Sequence, residues 1–216
     1  MTWLRPDDHA FADGPVFTPP AGLRAARAAT RNWRDARLLL AVWQQFSASA
    51  QIEEGVRLGL TARLINMATT DRVIIRSDAA VRGTLRNEPG GRIEIGGRVY
   101  IGDGTILSAA EEIVIGAATL LAHGVQIFDN DSHPIDAKER EEHFRMILGL
   151  APPGPLNIGK APVRIGERCW IGLNSIVMKG VTIGTDSIIA SGSIVVNDIP
   201  SGVIAAGNPA RVLKEL

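Results

Sequence analysis

Cysteine is nearly absent from this chain: one residue, Cys169, in 216. A lone thiol excludes an internal disulfide framework and suits a reducing compartment. Aromatic residues are scarce, at 5%. There is no charge excess either. The 23 basic and 23 acidic side chains cancel, which argues against a nucleic-acid binder, whose footprint is a strongly basic domain. Long apolar runs are missing. The longest, Leu38 to Trp43, falls far short of the roughly 20 residues that span a bilayer. The opening MTWLRPDDHAFADGP lacks the basic-then-apolar order of a secretory signal. These absences lead to the expectation of a soluble, cytoplasmic protein that does not bind nucleic acid.

What the chain has is a period. Isoleucine, leucine or valine returns every six residues, usually followed by a small residue. The clearest runs are IGGRVY-IGDGTI-LSAAEE, IGAATL-LAHGVQ-IFDNDS and IGERCW-IGLNSI-VMKGVT-IGTDSI-IASGSI-VVNDIP. Six fits neither the helical period nor the strand period. It is the mark of a hexapeptide solenoid, an all-β parallel β-helix with flat faces. The expected interior positions are Ile95, Ile101, Leu107, Ile115, Leu121, Ile127, Ile165, Ile171, Val177, Ile183, Ile189 and Val195. The fifth place of each hexad, also inward, is usually small: Thr105, Thr119, Val125, Cys169, Ser175, Val181, Ser187 and Ser193. Glycine, Asn and Asp at the corners suit a left-handed backbone.

Two regions depart from the repeat. Residues 1–54 form an irregular stretch and then an amphipathic helix over 22–48, ahead of a solenoid domain at 55–216. Ala29, Trp33, Ala36, Leu40, Trp43 and Phe46 share one side of that helix, and Arg24, Arg27, Arg31 and Arg34 share the other. The apolar side suits a cap on the open end of the solenoid. The arginines suit either a solvated face or contact with an anionic or lipid-linked glycan at a membrane surface. The second departure is the protruding loop 134–162. An excursion of that length in a tight repeat points to function. Phe144, Met146, Ile147 and Leu148 are its expected apolar anchors. A smaller phase break separates Leu107 from Ile115 by eight residues, placing extra residues at one corner.

Three motifs then stand out: Asp131-Ser132-His133-Pro134-Ile135-Asp136 followed by Arg140, Val163-Arg-Ile-Gly-Glu-Arg-Cys-Trp170-Ile-Gly172, and Ala206-Gly-Asn-Pro-Ala-Arg211. In this order on a hexad solenoid they resemble the left-handed β-helix acyltransferase superfamily. The similar branch holds the galactoside, maltose and nodulation-factor O-acetyltransferases. The resemblance implies a left-handed coil, acetyl-CoA as co-substrate, no metal, and a homotrimer with active sites between subunits. It implies O-acetylation of a sugar hydroxyl, in cell-surface polysaccharide or glycan synthesis, with His133 as general base. A neutral imidazole, whose pKa is normally about 6.5, is well matched to take a hydroxyl proton near neutrality.

By the same resemblance Leu173, Ser191, Val196, Asn197, Arg211 and Lys214 hold the CoA. The family's Thr-Lys is replaced here by Val196-Asn197, which leaves the nucleotide end to Arg211 or Lys214. Asp129, Asn130 and Asp131 suit acceptor hydroxyls, the imidazole or the capping of a turn. His123 suits a corner hydrogen bond or a substrate contact, and Trp170 a place near the cofactor channel or a core wedge. His143 reads as a solvated loop residue, and Asp136 with Arg140 as an ion pair. Cys169, on an inward place, is not expected to be a nucleophile. Three alternatives remain: an amino-sugar N-acetyltransferase, a three-histidine zinc carbonic anhydrase, and a non-catalytic scaffold.

Overall fold

The computed structural model describes the backbone of residues 23–216, with side chains from Asp35 onward and that of Trp33. The expectation of an irregular segment at 1–21, and the side chains of Arg24, Arg27, Arg31 and Arg34, lie outside the described residues. Helix α1 (Leu23–Ser49) leads into three flat faces wound as a parallel solenoid. The first face stacks strands such as Ile93–Ile95, Ile113–Ile115 and Val163–Ile165. The second stacks Tyr100–Ile101, Leu120–Leu121 and Trp170–Ile171. The third stacks Ile106–Ala109, Gln126–Phe128 and Ile176–Val177. The first coil begins at Gln51–Ile52, which pairs with Val73–Ile75. The coil ends in an antiparallel return, Ala210–Glu215 on Val203–Gly207.

All twelve aliphatic positions of the six-residue repeat are buried, and so are all eight of the small inward places. Each buried aliphatic side chain contributes about 1.5–3 kcal/mol relative to exposure. The inward hydroxyls are not orphaned. Thr105 Oγ1 donates to the Ala122 carbonyl at 2.7 Å, Thr119 Oγ1 to Gly166 at 2.8 Å, and Ser187 Oγ to Pro200 at 2.7 Å. Thr119 Oγ1 also accepts from the Cys169 N–H at 3.1 Å. A hydroxyl at this place therefore pins the corner of the next coil, which is why polar residues survive inside.

The small residue after the aliphatic one has a steric cause. The amides of Gly96, Gly116, Gly166 and Gly184 each donate to an isoleucine carbonyl of the next coil at 2.7–2.8 Å. That bond draws the next backbone against the glycine. A Cβ on Gly116 would lie 2.5 Å from Gly166 C and 2.6 Å from Glu167 N. At the corner between the first and second faces a column of residues is left-handed: Asp78, Arg98, Ala118, Arg168 and Asp186, with φ of 59°, 57°, 58°, 52° and 63°. Arginine and alanine there go beyond the glycine, Asn and Asp expected of corners. The amides of Arg98, Ala118 and Arg168 donate to the preceding coil at 2.9 Å, so the ladder imposes a conformation that the side chain alone would avoid.

Helix α1 packs on the open end through Phe46, with Val42 and Trp43 partly buried beside it and Ala50 buried just past its end; Leu39 is buried as well. The expected stripe holds at Trp43 and Phe46 and fails at Trp33 and Leu40, which are 58% and 56% exposed. The first coil accepts the helix through its C-terminal half. The lock is polar as well as apolar. Gln45 Nε2 donates to Leu64 O at 2.9 Å, and Asn66 Nδ2 to Ser49 O at 2.7 Å. None of the described helices is long and apolar enough to cross a membrane.

The excursion carries a helix, α2 (Ala137–Ile147), with no buried residues. Asp136 is its N-cap and accepts from the Lys138 and Glu139 amides at 2.9 and 3.0 Å. Arg140 NH1 donates to the Pro134 and Ile135 carbonyls at 3.1 and 2.7 Å. The expected Asp136–Arg140 pair thus gives way to two separate tasks, a cap and a clamp. Nor do Phe144, Ile147 and Leu148 anchor the loop; all three are exposed, because α2 stands off its own solenoid.

Two outcomes follow. Gly116→Ala should destabilise the coil by about 1–3 kcal/mol, the usual cost of overpacking, seen as a lower denaturation midpoint; an unchanged midpoint would mean that the coils can spread freely. Asp136→Ala should loosen α2 by about 1 kcal/mol and leave global unfolding unchanged. Amide exchange should rise across 137–147 alone.

Candidate active site

The corner between the third and first faces is the irregular one. It is lengthened after Ile106–Ala109, and it extends into the excursion after Gln126–Phe128. The chain Asp129 to Pro134 crosses this corner with nearly all its polar atoms engaged. Asp129 is fully buried, and its two carboxylate oxygens accept from the Ala110 and Glu111 amides at 2.7 and 2.8 Å. Asn130 donates to the Ser108 carbonyl at 3.3 Å and to Asp129 Oδ1 at 3.0 Å, and accepts from the Ser132 amide at 2.9 Å. Asp131 pairs with Lys179 of the following coil at 2.8 Å. The returning chain seals the turn: the Asp131 amide donates to Gly159 O and the Ala161 amide to Asp129 O, both at 2.9 Å. Asp129 and Asn130 therefore organise the turn.

This scaffold presents His133. Its amide donates to Asp131 O at 2.7 Å, the next residue, Pro134, is buried, and the imidazole itself is exposed. Ser132, just before it, is left-handed at φ 61°. The imidazole meets one partner that the sequence reading left as a solvated residue. His143 of α2 places Nδ1 3.2 Å from His133 Nδ1, with ring centroids 5.0 Å apart and planes tilted by 50°. The signal for this was available only in part. His143 lies two helical turns beyond the capping Asp136, but nothing in the sequence says that α2 folds back over His133. Lys179 was missed for a similar reason. It lies 48 residues from Asp131, and they meet because Ile127 stacks on Val177.

The remaining candidates occupy other edges. His123 sits at the corner between the second and third faces, where its Nδ1 accepts from the Asp103 amide at 3.1 Å. Asp103 is held ionised below its usual range: burial raises its pKa, but hydrogen bonds from Thr61 and Arg82 outweigh that. Leu173 and Ser191 follow on the same corner in successive coils, linked by Gly192 N to Leu173 O at 2.8 Å. Both are exposed. Trp170 points outward on the second face, 52% exposed, between Leu120 and Ile188. Val196 and Asn197 are exposed after the last third-face strand, and Arg211 and Lys214 are exposed on the terminal strand. Thus His133 and the Leu173–Ser191 row flank the third face on opposite edges. Cys169 is buried, and burial pushes its thiol up, away from nucleophilic use. Among the described residues no group of three or more His, Cys, Asp and Glu side chains could hold a metal ion.

Comparison with known proteins bears on this arrangement. A family profile described as the hexapeptide repeat of succinyl-transferase matches residues 162–196. The chain is 32% identical over 127 residues to galactoside O-acetyltransferase of Escherichia coli, covering 59% of this chain and 56% of that one. It spans 62% and 63% of two further relatives, from Saccharomyces cerevisiae and Dictyostelium discoideum, so the match takes in less than two thirds of each relative's length. Among solved structures, the polySia-specific acetyltransferase NeuO superposes with a TM-score of 0.60 at 29% identity, covering 76% of this chain and 70% of that one. A hexapeptide-repeat acetyltransferase of Vibrio cholerae, solved with acetyl-coenzyme A, shares the fold at 20% identity and a TM-score of 0.57, over 91% and 92% of the two chains. In its six-residue repeat and three stacked faces the chain resembles the hexapeptide-repeat acetyltransferases among these relatives and structures.

Proposed function

We propose that this protein is an acetyl-CoA-dependent O-acetyltransferase that modifies a sugar hydroxyl, with His133 as general base. The observation that carries the reading is the turn at Asp129–His133. The side chains of Asp129, Asn130 and Asp131 are engaged in holding the turn, and the exposed imidazole is left to do chemistry. Galactoside O-acetyltransferase and NeuO, acetyltransferases of a galactoside and of polySia by name, support a glycan acceptor.

In the proposed reaction His133 Nε2 takes the proton from the acceptor hydroxyl as its oxygen attacks the thioester carbonyl carbon. The carbonyl oxygen becomes an oxyanion, which a backbone N–H stabilises. When the intermediate collapses the C–S bond breaks, and the leaving thiolate takes the proton from the imidazolium. Acetyl has moved from sulfur to oxygen, and the base is restored. No acyl-enzyme forms, in keeping with the buried thiol of Cys169.

The working unit in this reading is a homotrimer. Among the described residues two recesses, of about 380 and 440 Å³, are lined by Arg72, Arg92, Lys160 and Arg164, and by Glu139, Met146 and Leu156, and neither is lined by His133. The third face exposes Ile106, Ile176 and Ile194 in part, and α2 exposes Phe144, Ile147 and Leu148. Apolar surface of this extent suits a partner. A second copy against the third face brings its edge to His133. Leu173, Ser191, Val196, Asn197, Arg211 and Lys214 then line a groove for acetyl-CoA.

His133→Ala should lower kcat by about 10² to 10⁴, the usual yield of general-base catalysis, without changing the unfolding midpoint. The measurement is thiol release and product mass with acetyl-CoA and a panel of glycans and amino sugars. A loss smaller than tenfold removes His133 from the role, and acetylation of amines alone overturns the sugar-hydroxyl acceptor. Light scattering should give three times the chain mass of 23.1 kDa; a monomer at assay concentration would rule out the shared groove.

A further inference from the structure

We propose that His143 is a positioning residue for His133: it accepts the His133 Nδ1–H and so keeps His133 Nε2 free to take the acceptor's proton. The inference rests on the reading of His133 as the base. Its ground is the Nδ1···Nδ1 contact of 3.2 Å across rings tilted by 50°. A neutral imidazole has one donor and one acceptor nitrogen, so a single proton lies between these two. With Nδ1 engaged by His143, Nε2 is the nitrogen of His133 left for substrate. It can act as a base only if the shared proton belongs to His133. The partner of one ring nitrogen sets the state of the other.

The chain around the pair is built to hold this contact. His143 sits on α2, whose start is fixed by the Asp136 cap. The helix is clamped by Arg140 to the carbonyls of Pro134 and Ile135, the two residues that follow His133. Helix and base are thus tied through four residues of chain, and the second turn of α2 carries His143 back over the imidazole. The contact also gains in the reaction. Once His133 is protonated, the Nδ1–H donor belongs to a cation, and such hydrogen bonds are about twice as strong as neutral ones. His143 therefore supports the charged state more than the resting one, which is the differential binding that speeds a step.

The test uses the full chain with His143→Leu and His143→Asn. Leucine removes the acceptor; asparagine keeps an acceptor oxygen near the place of Nδ1. Loss of the hydrogen-bond partner that orients a metal-bound histidine costs about 10- to 100-fold, and a loss of the same order is expected here. His143→Leu should lose that much in kcat with KM for acetyl-CoA unchanged, and His143→Asn should recover most of it. Nitrogen-15 NMR of the histidine rings, without substrate, should show His133 carrying its proton on Nδ1 in the unaltered protein and losing that preference in His143→Leu. A resting proton on His133 Nε2 overturns the proposal, as does a kcat equally reduced, or equally intact, in both variants. The tautomer is read without turnover. An active His133→Ala would therefore sink the base itself, while the NMR result still judges the contact.

Discussion

The interaction on which everything else depends is the coil-to-coil backbone hydrogen bond. Amides at the corners reach carbonyls of the adjacent coil at 2.7–3.0 Å along the faces, as between Gly116 and Ile165 or Gly172 and Ile189. That spacing leaves little room for a side chain after Ile115 or Ile171. A Cβ on Gly172 would lie 2.5 Å from the Ser191 amide nitrogen. The same stacking fills the interior with aliphatic rows, two of them on the first face, where Ile93 and Ile95, Ile113 and Ile115, and Val163 and Ile165 are all buried. It also turns the inward hydroxyls of Thr105, Thr119 and Ser187 into fasteners between coils. Repeat, burial and corner composition follow from one distance.

The candidate chemistry lies where that stacking is interrupted. Between the third and first faces the corner lengthens, and the backbone groups freed by the irregularity must find partners. Asp129, Asn130 and Asp131 supply them, with Ala110, Glu111, Gly159 and Lys179 on the other side. The cost of breaking the repeat is thus met by a fully bonded turn, and the turn is rigid enough to present one imidazole. A buried carboxylate near a candidate base suggests an acid–base role at first sight, but Asp129 has both oxygens in use by main-chain amides.

The faces differ in how they meet solvent. On the first, charged side chains form ladders across the coils: Arg76 bridges Glu53 and Glu94 at 2.8 Å, and Arg92 and Arg164 both reach Glu112. Such exposed pairs contribute little to stability, yet they make this face costly to dehydrate. The second and third faces instead show Leu120 and Trp170, and Ile106, Ile176 and Ile194. The asymmetry sets the apolar faces beside the edges that carry His133, Leu173 and Ser191.

The solenoid was legible residue by residue, because a period of six with a small residue after the aliphatic one has few other physical meanings. The inward rows and the buried Cys169 could be read from phase alone, whereas His133 was singled out by the motif that carries it. Contacts between elements could not be read from either. Phase does not say which stripe of α1 meets the first coil, so Leu40 and Trp33 looked buried and Leu39 was overlooked. Asp136 and Arg140 looked like a pair, but the helix between them claimed each for its own main chain. His143 looked solvated, but the fold-back of α2 set it against His133. The sequence by itself determined the repeat and singled out the candidate imidazole, because the six-residue period and the motif around His133 are both local in the chain. The tertiary structure decided what that imidazole touches, because the contact depends on how a helix without buried residues is clamped to a turn.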